Sequence, residues 1–527
     1  MGENIDYQQK EVSPYSGYDI SYDKFSQFGT RLGLERMEVL LTALGNPQDN
    51  LKYCHIAGTN GKGSVSATLT SILAAANFRV GLYTSPFVER FGERIRILSG
   101  RDAVLRWRRE PSIGEISPDD FNAALAKVKS ALIENEVTAE ASPTMFEVLT
   151  TIAFLQFDKY ACDYVVLETG LGGRLDSTNI IRQPEVVVIT ALGYDHCERL
   201  GYTMAEIAHE KAGIFRTGVP VIALDPRHVF SVDAAEGASA YNQLLTEAAA
   251  KKADIFFVDP TCFRVNTADF AGQSYSFTNI PLGLEDYLSS RGATDAWLEA
   301  LRTHVFRTPL LGQYQIGNTA LSVLAAFIAY PELTQSVEGL EVIDAGMGTT
   351  FWPCRCEMLT PPLGGDVDSE VPSVMPEPLI IADGAHNTQG SAAFRASLAA
   401  LQKHLPDGRK RLTVLWGFLE DKPWRDIVRE TLADPALEYY TFVCTEPLSP
   451  RALPAERLAE FIQTEMTKLP RRRRVPVHIH AEVDSAIDTA WRENSRSDGW
   501  IAVWGSLYLV GEVSKKCRNR VKWAGRP

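Results

Sequence analysis

Tyr53-Cys54-His55-Ile56-Ala57 runs directly into Gly58-Thr59-Asn60-Gly61-Lys62-Gly63-Ser64, and Val65 to Asn77 continues as a helical pattern. A short apolar run, a glycine turn and a helix together open a parallel βαβ unit. The N–H groups of such a turn, with a helix N-terminus behind them, can face a phosphate, and Lys62 sets a point charge beside it. Gly63 separates the lysine from Ser64, so the string departs from the usual phosphate loop. A turn that merely connects strand to helix is the plain alternative. The lysine weighs against it.

The same alternation recurs downstream. Arg79 to Tyr83 reads as a strand, Phe121 to Glu134 and Thr144 to Asp158 as helices, and Tyr164 to Glu168, Val186 to Thr190 and Val219 to Ala223 as strands. Asp225 to Thr308 is the least readable stretch, with an Ala-rich helix (Ala240 to Lys251) and β-like pieces at Ile255 to Val258 and Ser274 to Phe277. A helix from Gln315 to Tyr330 closes this half. The period restarts with strands Cys354 to Leu359, Leu379 to Ala382 and Leu412 to Trp416, and a helix Ser391 to His404. Further strands follow at Tyr440 to Thr445, Val475 to Ile479 and Trp500 to Trp504. The expected fold is α/β in two domains, 1–342 and 343–527, with an insertion near 225–308 and an exposed, acidic, Pro-rich loop at 360–378.

Composition narrows the class. The chain has 527 residues, 45% hydrophobic and 23% charged, which excludes wholesale disorder and gives cores that need no disulfide or structural metal. With 53 Lys+Arg against 66 Asp+Glu the net charge is −13, unlike a general nucleic-acid binder. Arg471 to Arg474 is one basic run and reads as solvated surface. Eight Cys without a C-x-x-C pair suit reduced thiols in the cytoplasm. The acidic, polar start shows no signal-peptide pattern, and no stretch of about 18 apolar residues would span a membrane.

Other strings sit at strand ends. Glu168-Thr169-Gly170-Leu171-Gly172-Gly173-Arg174-Leu175-Asp176 begins at a carboxyl end, where ligands of open α/β sheets bind, and Glu168 there suits Mg²⁺ beside a phosphate. Asp195-His196 follows the next strand; alone, His196 reads as an ordinary loop histidine. Lys211, in Glu210-Lys211-Ala212-Gly213-Ile214, is explained by a helix C-terminus. Asp383-Gly384-Ala385-His386-Asn387 follows a strand of the second domain, where ribose-binding or catalytic groups collect. Asp421-Lys422 reads as a polar loop.

Taken in order, these strings are similar to one family. Tyr83-Thr84-Ser85-Pro86-Phe87, Phe91-Gly92-Glu93-Arg94-Ile95, Gln315 to Asn318, Trp352-Pro353, Arg355 and Gly505-Ser506-Leu507-Tyr508 complete the set. Together they resemble the folylpolyglutamate synthase and dihydrofolate synthase branch of the Mur ligase superfamily, from about Phe25 to Glu512. The resemblance implies an N-terminal P-loop-type ATPase domain with a mostly parallel sheet and a smaller C-terminal Rossmann-like domain.

It also implies an ATP-dependent amide ligase that joins L-glutamate to a folate-type carboxylate through an acyl phosphate. Gly58, Thr59, Asn60, Gly61, Lys62, Gly63 and Ser64 would hold the ATP phosphates, Asn318 the adenine, and Arg355 would reach across to the phosphates. Ser85, Glu168 and His196 would hold Mg²⁺. Lys211 would be carbamylated, which reverses the helix-end reading, and the family also admits a monovalent cation. Asp383 and His386 would meet the ribose and the reacting centre, and Phe87 and Arg94 the folate. A monomer in the cytoplasm, with small-molecule substrates and neither nucleic-acid nor membrane partner, is expected.

Three positions depart from the family pattern: Tyr314 where His is common, Cys354 where Gly is usual, and Pro423 where an acid is common. A dihydrofolate synthase without the second activity, another Mur-type amino-acid ligase, and a nucleotide-binding regulator are the alternatives.

Overall fold

The structure is a computed structural model that describes residues 15–20, 33–138, 141–359, 378–406 and 408–523. All but the last residue of the loop expected at 360–378 lies outside the described residues. The first half is built on a seven-stranded sheet: β1 (Tyr53–Ala57), β2 (Arg79–Tyr83), β3 (Ile95–Ser99), β4 (Tyr164–Glu168), β5 (Val186–Ile189), β6 (Val221–Leu224) and β7 (Ile255–Val258). Their order is β3-β2-β4-β1-β5-β6-β7. All pairs are parallel except β2 with β3.

Strands β1, β4 and β5 are buried from end to end, because helices cover both faces. That double burial is why they read as unbroken apolar runs. The helices Lys62–Ala75, Tyr314–Ala329 and Glu338–Met347 pack together on one face. Pro118–Glu134 and Met145–Lys159 cover the other. Thr144 starts the second of these with a capping box, in which Glu147 returns a carboxylate to the Thr144 N–H. In register, Ile56 lies opposite Glu168 and Ala57 opposite Ile189. Gly58, Thr169 and Thr190 therefore leave the sheet side by side, where a ligand crevice belongs.

Three expectations need correction. The segment 225–308 is integral to the first half: β7 extends the main sheet, and β8 (Phe263–Asp269), β9 (Gly272–Phe277) and β10 (Phe306–Thr308) form a small antiparallel sheet. Tyr275, Phe277 and Phe306 enter the same core as the first-half helices. The helix Glu338–Met347 runs across residue 342, and Leu340, Ile343, Met347 and Trp352 all join that core, so the first half extends to about Trp352. The strand expected over Cys354 to Leu359 shrinks to β11 (Glu357–Met358), because Cys354 (φ 54°) and Cys356 (φ 51°) are left-handed.

The second half carries β12 (Ile380–Ala382), β13 (Arg411–Trp416), β14 (Glu438–Cys444), β15 (Val477–Ile479) and β16 (Trp500–Trp504), in the order β11-β12-β16-β13-β14-β15. It has its own cores around Trp416, Phe394 and Trp504 on one face and Leu415, Ile501 and Val503 on the other. The basic run is partly structural: Arg473 Nη2 donates to Asp434 O (2.6 Å) and Arg474 Nη2 to Thr467 O (2.7 Å). No helix among the described residues is long and apolar enough to cross a membrane.

Candidate active site

The carboxyl ends of β4, β1 and β5 face the second half across a cavity of about 560 Å³. Gly58 to Ser64 form its floor. Gly58 has φ 153°, and a β-carbon there would collide with Thr190 Oγ1, so only glycine lets this strand end approach β5. Gly63, the residue that breaks the usual phosphate-loop spacing, lies against Trp352; a β-carbon on it would sit 2.6 Å from the indole Nε1. Ser64 Oγ accepts from Gln315 Nε2 (3.1 Å), and Gln315 Oε1 accepts from Asn318 Nδ2 (3.0 Å). The turn is thereby tied to the helix Tyr314–Ala329.

Three charged side chains converge on this floor. Lys62 Nζ donates to Gly58 O (3.2 Å) and Thr59 O (3.4 Å) and lies 3.9 Å from Glu168 Oε1. Glu168 is buried at the end of β4, and burial raises its pKa to about 7 even against the attraction of Lys62 and Arg355. Lys211 is 3% exposed and donates to the same Gly58 O at 2.8 Å. Burial, reinforced by repulsion from Lys62, lowers its pKa to about 7. Its deprotonation is thereby brought towards neutrality.

The second half supplies the facing wall. Arg355, Asp383 and His386 all line the cavity. His386 Nδ1 lies 2.8 Å from Gly384 O, which sets that nitrogen as the donor and leaves Nε2 directed at Asp195 Oδ2, 3.6 Å away. Asp195 also pairs with Lys422 Nζ at 3.0 Å. Burial alone would raise the Asp195 pKa, but His386 and Lys422 hold it well below the carboxylate range. His196 is half-exposed, with its own pKa lowered by burial.

Every residue expected to hold ATP, metal or the reacting groups lines this one cavity, namely Gly58 to Ser64, Ser85, Glu168, His196, Lys211, Asn318, Arg355, Asp383 and His386. Phe87 and Arg94 do not. They sit behind Ser85, with the Arg94 guanidinium 5.3 Å from the Phe87 ring centroid and Phe87 packed edge-on to Tyr15 and Phe91.

The domain models match in the same two places. The Mur ligase middle domain matches residues 121–326, and the Mur ligase glutamate ligase domain matches residues 371–507. The chain is 32% identical over 420 residues to the dihydrofolate synthase/folylpolyglutamate synthase of Bacillus subtilis, spanning 79% of this chain and 82% of that one. It is 33% identical over 505 residues to the folylpolyglutamate synthase of Lacticaseibacillus casei, spanning 94% and 96%. This chain belongs to the folylpolyglutamate synthase/dihydrofolate synthase family. The folylpolyglutamate synthase of Mycobacterium tuberculosis, solved with ADP and AMPPCP, shares the fold with a TM-score of 0.70 at 26% identity, covering 92% of this chain and 96% of that one.

In this member of the family, several polar pairings that the sequence does not show join the halves around the cavity. Asn60 Nδ2 donates to Gln389 Oε1 (2.6 Å), and Asn387 Nδ2 donates to Asn60 Oδ1 (3.1 Å). Lys422, read as a polar loop, pairs with Asp195. Asp225, His228 and Asp259 meet at the cavity wall formed by 225–263, although Arg227 already grips Asp225 at 2.6 Å. Lone Asn, Gln or Lys residues carry no local signal for such pairings; only the assembled halves reveal them.

Proposed function

We propose that this chain uses ATP to join L-glutamate to the carboxylate of a folate-type acceptor, acting on reduced folates and on dihydropteroate, with Lys62, Lys211, Glu168, Arg355, Asp383 and His386 as its working set. The observation that carries the reading is the meeting of Lys62 and Lys211 at the Gly58 carbonyl, with Glu168 3.9 Å from Lys62 and with Arg355 and His386 facing them from the other half.

The acceptor carboxylate attacks the γ-phosphorus of ATP, giving an acyl phosphate and ADP. The glutamate amine then attacks the acyl carbon, phosphate leaves, and the nitrogen sheds a proton as the amide forms. Two anions must first meet. The backbone N–H groups of Gly58 to Ser64 and the cations Lys62 and Arg355 offset that repulsion where the charge develops. His386, with Nδ1 committed to Gly384 O, presents Nε2 to take the amine proton, and Asp195 steadies the resulting imidazolium.

The donor set fits Mg²⁺. Glu168 and the Ser85 hydroxyl are hard oxygen donors beside the phosphate turn, and a cation that keeps its waters asks for only one or two carboxylates. Glu168, Ser85 and His196 would hold it. Bound there, Mg²⁺ neutralises charge on the transferring phosphoryl group. Lys211 suits carbamylation, since the free amine is the form that reacts with carbon dioxide and Lys62 stabilises the anion produced. The meeting of Lys62, Glu168 and Lys211 with Arg355, Asp383 and His386 in one cavity supports a monomer as the working unit, and cysteines kept as thiols suit the cytoplasm.

The test pairs two acceptors, dihydropteroate and a reduced folate, with L-glutamate and ATP. Glutamate-dependent amide formation with both is expected. Product with dihydropteroate alone would leave only the first activity, and product with a UDP-sugar precursor alone would overturn the reading.

A further inference from the structure

Tyr314 belongs to two halves at once. Its helix, Tyr314–Ala329, is part of the first half's core through Ile316, Ala320 and Leu321, whereas the Tyr314 ring packs on the second half's core. Its hydroxyl donates to Asp383 Oδ2 at the end of β12. The same Oδ2 accepts from Cys356 N (2.8 Å), and Oδ1 accepts from Ala385 N (2.8 Å). Three donors from three chain segments thus occupy most of the lone pairs of one buried carboxylate. Burial raises the pKa of the Tyr314 phenol well above 10, so it remains a donor.

What Asp383 holds is the turn that carries Arg355. Cys354 and Cys356, on either side of Arg355, are both left-handed (φ 54° and 51°), a conformation that side chains with a β-carbon adopt only when their surroundings impose it. The anchors are present. Asp383 takes the Cys356 N–H, Glu357 Oε2 takes the Cys354 N–H (2.8 Å), and Gly384 N donates to Cys354 O (2.9 Å). Arg355 Nη1 donates to that same carbonyl at 2.9 Å. Its guanidinium lies over Gly384, where a β-carbon would approach within 2.7 Å.

We propose that Tyr314 is a positioning residue that acts through Asp383 to aim Arg355 into the nucleotide cavity and to pin the two halves at the linker between them. This rests on the functional reading only in taking Arg355 as a nucleotide contact; it does not depend on the acceptor. Asp383 accordingly works by holding Arg355 and the 384–386 loop.

The test is a double-variant cycle read on the Kd of a non-hydrolysable ATP analogue, with melting temperature measured alongside. Tyr314→Phe keeps the ring and removes the hydroxyl. It is expected to weaken analogue binding roughly tenfold, as is Arg355→Ala, while the double variant binds within about twofold of Arg355→Ala alone. The loss of melting temperature caused by Tyr314→Phe should be the same in both backgrounds, which separates aim from general stability. Asp383→Asn is the second variant and should show the same dependence on Arg355. Equal losses of binding in both backgrounds, or wild-type binding by Tyr314→Phe, would overturn the proposal. Acceptor-dependent ADP release by the wild-type enzyme is measured separately, so a failed acceptor assignment would leave this cycle readable.

Discussion

Lys62 and Lys211 end at the same carbonyl oxygen, with Nζ atoms 3.2 and 2.8 Å from Gly58 O, and this sets the chemistry expected of each. Lys62 keeps partial access to solvent and to Glu168, as a phosphate contact must. Replacing it with Ala should lower kcat roughly 100- to 1,000-fold while the melting temperature stays near wild type; a variant with half of wild-type kcat would remove Lys62 from the phosphate site. Lys211 is sealed in, and its pKa of about 7 means that the ammonium prevails below neutrality and the amine above it. At equal concentrations of dissolved carbon dioxide, depleted enzyme should therefore regain activity faster at about pH 8 than at about pH 6. Lys211→Ala should be severely impaired and partly rescued by short-chain carboxylic acids. Lys211→Arg keeps the charge without the carbamate and should stay impaired; wild-type activity there would show that a cation suffices. The two lysines also differ in how far they could be read from sequence. Lys62 sits in a contiguous string whose physical meaning is local. The partner of Lys211 is 153 residues away, so its neighbourhood on the chain showed only a helix end.

Among the elements, legibility followed burial. Strands β1, β4 and β5 lie between helices on both faces, so their apolar runs were unmistakable, and their ends carried the phosphate turn, Glu168 and the Asp195-His196 loop. Two edge strands were harder. β3 runs antiparallel at the sheet edge, and β10 spans only three residues, too few to show a period. The turn at Cys354 to Cys356 misread as strand because left-handed backbone at a residue other than Gly or Asn leaves no mark in the sequence. Where a glycine was present, the constraint can be tested. Gly58→Ala should destabilise the protein by about 1–3 kcal/mol, since φ 153° is strained for alanine and its β-carbon meets Thr190. Adding Thr190→Ala, which removes the nearest atom, should recover part of the melting temperature but not the phosphate turn's full activity. If Gly58→Ala melts with wild type, the close approach of β1 and β5 is not enforced by this residue.

At the scale of the whole molecule, the cavity exists only where the two halves meet, and polar contacts close it: Asn60 with Gln389, Asp195 with Lys422 and Tyr314 with Asp383. Each half has a core of its own, but Val88, Phe270 and Leu311 of the first half pack into the cores of the second, and each half holds only part of the reacting set. The division between the halves lies after Trp352, because Ile343, Met347 and Trp352 pack into the first core. A fragment ending at residue 340 loses all three, along with most of the helix Glu338–Met347, and should melt well below one ending at residue 352; removing large buried side chains costs about 2–5 kcal/mol each. Neither fragment should ligate glutamate by itself, since Arg355 and His386 would be missing. Residues 1–352 mixed with residues 353–527 give the stronger test. Weak, concentration-dependent ligation is expected from the mixture, because the polar contacts can re-form without the covalent linker but lose the high effective concentration it provides. Ligation by residues 1–352 alone would mean that the second half is not part of the catalytic site.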